Sequence, residues 1–124
     1  MSRSIPNRIQ KSTDALRDYP MSVAVRNGRC GTCPKLLTNY LSRCSNIAHS
    51  LSRTQKLEFY RSVLDVLMET VCDDLIAKCW RGWCLDNIYK PLGALRFLSE
   101  TEQERKELAK LEAQMRALSY YFIN

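Results

Sequence analysis

The chain has a single histidine, His49, and only four glycines and four prolines in 124 residues. With one imidazole there is no second base for a Cys–His or Ser–His–Asp arrangement. No glycine-rich loop is present to cradle a phosphate, and no paired-carboxylate motif occurs, so an enzyme is not expected. No run of about 18 apolar residues is found, which argues against a membrane span. The opening "MSRSIPNRIQKSTDALRDYP" has no apolar stretch ahead of a small-residue cleavage site. A soluble intracellular protein, cytoplasmic or nuclear and not secreted, is the expectation. Acidic residues are scarce at one end: residues 1–56 contain ten Lys and Arg against only Asp14 and Asp18, about +8, whereas residues 57–124 hold nine against eleven, about −2. Such an asymmetric field points to a polyanionic partner.

What is present fits one small domain. At 45% apolar and 26% charged the chain can bury a core without disulfides. Strand signal is weak and no internal repeat occurs. Ile9, Ala15 and Leu16 lie near helical spacing between Pro6 and Pro20, predicting a short helix, and "MSVAVRNGRCG" reads as a connection with a turn at Asn27-Gly28. After Pro34, apolar residues at Leu37, Tyr40, Leu41, Cys44, Ile47, Ala48 and Leu51 mark one helical face. After Thr54, the stripe Leu57, Tyr60, Val63, Leu64, Leu67, Val71, Leu75 and Ile76, widened by Phe59 and Val66, predicts the central helix. Gly82, Pro91 and Gly93 in "KCWRGWCLDNIYKPLG" should end or bend it. In the last segment Thr101 and Glu104 form a potential capping box. Leu108, Leu111, Met115, Leu118 and Phe122 then recur by three and four, the pattern of a bundle face or of a self-association seam.

The predicted fold class is therefore all-α: a small bundle of four to five helices with an amphipathic C-terminal helix. Residues 1–33 form a basic arm with a C-x2-C, 34–98 the helical core, and 99–124 the association helix.

Six cysteines are many for an intracellular chain. Cys30, Cys33, Cys44 and His49 give C-x2-C-x10-C-x4-H, yet on one helix Cys44 stands about 16 Å beyond Cys33 and points about 140° from His49. Ligands of one zinc ion must converge to about 2.3 Å from it. Cys44 therefore reads as core. The better quartet is Cys30 and Cys33 of "CGTC" with Cys79 and Cys84 of "CWRGWC", where Gly82 would let the second pair turn; four thiolates would close a structural zinc site. Buried free thiols, and disulfide or redox chemistry, remain open beside it. "CGTCPK" looks like a thioredoxin active-site segment, but no strand–helix alternation surrounds it. Cys72 reads as core.

Arg3, Arg8, Lys11 and Arg17 precede "CGTC", Arg26, Arg29 and Lys35 surround it, and Arg43, Arg53 and Lys56 follow, an array that could track phosphates. Exposed aromatics are sparse near these charges, which favours double-stranded RNA read through phosphates and 2′-hydroxyls over single-strand stacking. "RCGTC" with its basic flanks, the short length and the leucine-spaced "ELAKLEAQMRAL" resemble the small cysteine-rich proteins of plant RNA viruses, several of which suppress RNA silencing. That resemblance implies zinc binding, RNA binding and self-association as a homodimer or higher oligomer. The rival reading is a helical adaptor that binds an acidic protein partner through its basic half, or docks through its C-terminal helix and the "CWRGW" surface, where Trp80 and Trp83 could be anchors.

Overall fold

A computed structural model of the chain describes residues 19–28 and 34–123. The predicted helix over residues 1–20 falls almost wholly outside these. Six α-helices and no strands are found among the described residues: α1 (Tyr19–Arg26), α2 (Pro34–Ala48), α3 (Arg53–Cys72), α4 (Lys78–Asp86), α5 (Tyr89–Leu98) and α6 (Glu102–Ile123). The protein is an all-α bundle.

The expected face of α2 is buried, with Leu37, Tyr40, Leu41, Cys44 and Ala48 turned inward and Pro34 opening the helix. At that first position the missing N–H costs no intrahelical bond. The central helix starts at a capping box, in which Ser52 Oγ accepts from the Gln55 N–H at 3.2 Å and the Ser52 N–H donates to the Gln55 side chain at 3.0 Å. Phe59, Val63, Leu64, Leu67 and Val71 of α3 are buried, and α1, α2, α4 and α5 all pack on it. Each such apolar side chain contributes about 1.5–3 kcal/mol on burial. Thr70, the buried polar residue among the described ones, donates its hydroxyl to Val66 O at 2.7 Å and so carries no unpaired group into the core.

Two local expectations are corrected. Residues 19–26 are helical rather than a connection, because Val25 inserts fully into the core and this packing outweighs the weak helix preference of β-branched residues. The central helix ends at Cys72, so Leu75 is 94% exposed instead of continuing the buried stripe. Asp73 stops the helix: its backbone turns extended, and its carboxylate accepts from the Leu75 N–H at 2.9 Å and from Arg26 at 2.8 Å. These two contacts, the backbone one first, hold the Asp73 carboxyl below its ordinary pKa.

The chain also passes through Gly82 without a break. It interrupts at Asn87-Ile88, between α4 and α5, while Pro91 falls in the first turn of α5, where proline is tolerated. Finally, α6 opens as expected, with the Glu104 N–H donating to Thr101 Oγ1 at 3.0 Å and the Thr101 N–H donating to Glu104 Oε1 at 3.1 Å.

Candidate nucleic-acid interface

The basic array divides by position. Arg3, Arg8, Lys11, Arg17 and Arg29 lie outside the described residues. Arg26 projects from the end of α1 onto α3, bonded to Asp73 and 3.9 Å from Glu69, so its charge is largely neutralised within the fold. Arg53 is likewise engaged, forking onto Glu104 at 2.9 and 3.0 Å and donating to Leu98 O at 2.9 Å. Lys35 and Arg43 are exposed on α2, a helix without a single carboxylate.

Beside that helix lies an open cleft of about 350 Å³, walled by α2, α3 and α5. Thr38, Ser42 and Ser45 line one side, at i, i+4 and i+7 along α2, and Lys35 stands on the same face one turn earlier. Lys90 of α5 lines the other side, Tyr60 enters from α3, and Leu41, Val63, Pro91 and Ala94 supply apolar contact surface. Among the described residues no Asp or Glu lines the cleft, and α5, like α2, contains none. Among the described residues no carboxylate forms an ion pair with Lys35 or Lys90. Outside the cleft, α5 presents Tyr89, 63% exposed, and Phe97, 88% exposed, with Gly93 between them facing open space. Lys90 Nζ lies 6.0 Å from the Tyr89 ring centroid. Tyr89 and Phe97 thus stand exposed on the helix that carries Lys90, and the packing of α5 on α3 brings Lys90 opposite α2.

A second groove, of about 320 Å³ between α3, α5 and α6, has the opposite character. Leu57, Leu95, Leu108 and Leu111 line it, and its charged neighbours include Glu58, Glu104 and Glu107. Arg61 also lines it and Glu104 is paired with Arg53, so this groove lacks the cationic excess that would attract a polyanion.

Of the expected thiol quartet, Cys79 and Cys84 lie among the described residues. Cys30 and Cys33 lie outside the described residues. Cys79 is held in a disulfide and has no thiolate to give a metal. Cys84 is fully buried, five residues further along the same helix, and burial pushes its thiol pKa up to about 12. Zinc binds the thiolate, which this apolar environment disfavours. Side chains five apart on a helix point about 140° from each other. Cys79 and Cys84 as placed therefore do not fit one zinc ion, and among the described residues no group of three or more His, Cys, Asp or Glu could hold a metal. Cys44 is buried as expected, whereas Cys72, expected in the core, is exposed at the end of α3.

The C-terminal stripe packs on its own chain. Leu108 and Leu111 are buried, and Met115, Leu118 and Phe122 are half-buried against the core. Phe122 lies over α4, with Lys78 and Arg81 at 5.6 and 5.4 Å from its ring centroid. Trp80 is fully buried and Trp83 packs edge-to-face against it at 5.7 Å, so "CWRGW" presents no pair of exposed indoles. No helix among the described residues is long and apolar enough to cross a membrane.

No family model, curated protein or solved structure matches the chain.

Proposed function

We propose that this protein binds RNA through its phosphates, using the carboxylate-free side formed by α2 and α5. One observation carries the reading: no Asp or Glu occurs between Asp18 and Glu58, and the exposed cation Lys35 stands on that stretch beside a cleft to which α5 adds Lys90. Contacts of this kind release condensed counterions, so they strengthen steeply as salt falls and depend little on base sequence. The hydroxyls of Thr38, Ser42 and Ser45 add neutral donors that can bond phosphate or ribose oxygens. An acidic protein partner would also be attracted by the charges, but it would leave the nucleotide-sized cleft without a role. A mobility-shift titration of single- and double-stranded RNA in low salt tests the reading. Retarded complexes that dissolve as salt rises support it, and no retardation of either RNA at low salt refutes it.

A further inference from the structure

From the α2–α5 cleft we infer a seat for one phosphorylated nucleoside unit, either a nucleotide of a single-stranded RNA or a free mononucleotide; its RNA form rests on the function proposed above. The two walls differ in chemistry in the way such a ligand requires. Lys90 supplies a point charge for the phosphate, and the α2 hydroxyls opposite can bond phosphate or ribose oxygens. Between them Leu41, Val63, Pro91 and Ala94 give an apolar surface on which a base can lie. A phosphate alone would not need that surface. A purely apolar ligand would leave the lysine and three hydroxyls unmatched. The size sets the number of units, since about 350 Å³ lies at the lower end of small-ligand clefts and holds one nucleotide rather than several.

The outer face of α5 extends the site along a strand. Positions 89, 93 and 97 advance by about 40° per step around the helix and reach the side that carries Lys90 and Ala94. Tyr89 and Phe97 are exposed there, and the bare backbone at Gly93 leaves room between them. Neighbouring bases of a flexible strand can stack on these rings, a sequence-tolerant contact unavailable to a paired duplex. The inference thereby favours single-stranded over double-stranded RNA.

The test uses the full chain, a fluorescent uridine decamer followed by anisotropy, and uridine 5′-monophosphate followed by calorimetry. Lys90→Ala removes the charge, Ala94→Leu fills the cleft, and Lys106→Ala on α6 is the control. Lys90 is exposed, so its replacement leaves the core intact even if Ala94→Leu perturbs folding. Loss of a charge-assisted contact is expected to weaken decamer binding about tenfold in Lys90→Ala, with Lys106→Ala unchanged. Saturable binding of the monophosphate, abolished by Ala94→Leu with an unchanged circular-dichroism spectrum, supports the cleft directly. If the decamer binds and neither cleft variant weakens it, the cleft inference is overturned while RNA binding stands. If the monophosphate binds but no RNA does, the cleft is a mononucleotide site and the RNA reading falls. Binding of neither overturns both.

Discussion

The indole N–H of Trp80 donates to the carbonyl oxygen of Val25 at 2.7 Å, closing a contact across 55 residues between α4 and α1. The same ring lies against Gly28, where a β-carbon would fall inside the indole. This is the close approach that requires glycine at the end of α1. Gly28→Ala is expected to destabilise the fold by about 1–3 kcal/mol through overpacking. Trp80→Phe keeps the apolar bulk but removes the donor and leaves a gap, and is expected to cost a similar about 1–3 kcal/mol. Urea unfolding checks both.

Glu104 ties three segments together. Its carboxylate takes the Arg53 fork and also accepts from the N–H groups of Glu100 and Thr101, at 2.9 and 3.1 Å. The Arg53 bonds foremost, then those two N–H groups, draw its pKa down to about 2 from an ordinary 4.5. A carboxyl with a depressed folded-state pKa adds stability above its unfolded value and loses it as pH falls toward the folded value. Urea midpoints should therefore decline between about pH 5 and pH 2. Glu104→Gln should lower the midpoint at pH 7 and flatten this part of the pH dependence; an unchanged slope would contradict the assignment.

Thiol labelling should separate the cysteines by burial. Cys72 is exposed, whereas Cys44 and Cys84 are buried, and Cys84 is additionally held protonated by its surroundings. Brief treatment of native protein with a maleimide, followed by peptide mapping, is expected to mark Cys72 and spare Cys44 and Cys84. Labelling of all three should follow denaturation. Rapid labelling of Cys84 in the native state would overturn its placement in the core.

Phe122 should matter to the stability of the single chain. A β-carbon at Gly82 would sit 3.5 Å from its ring, an ordinary contact, so Gly82→Ala is expected to be neutral or to stabilise α4 by up to about 1 kcal/mol. Phe122→Ala removes ring packing and two cation–π contacts, and is expected to destabilise by about 1–2 kcal/mol. Calorimetric melting at two protein concentrations checks both, the shifts being the same at each.

Periodicity made α2 and the middle of α3 readable, because an apolar face of three or more turns identifies its own inward side. The Thr101–Glu104 box was equally readable, being local. What escaped depends on tertiary contacts. Gly82 looks like a breaker, yet the side chains around it bury Trp80 and Cys84 and carry the helix through. Leu75 continues a helical stripe on paper, yet Asp73 ends the helix two residues earlier. The interface divides in the same way. Lys35 and Arg43 are visible as cations in a carboxylate-free stretch, whereas Lys90, Tyr89 and Phe97 lie in the half with negative net charge. Only the packing of α5 on α3 brings Lys90 opposite α2.

The salt dependence of RNA binding bears most directly on the central claim. If Lys35 and Lys90 each meet a phosphate of the uridine decamer, log affinity should fall with log salt at a slope of about −1.4. Replacing Lys35 and Lys90 together by Glu should flatten that slope and weaken binding at least tenfold, at about 1.4 kcal/mol per tenfold, while Lys106→Glu with Lys110→Glu on α6 changes neither. A slope near zero, or equal losses from the two double replacements, would contradict an RNA interface on α2 and α5.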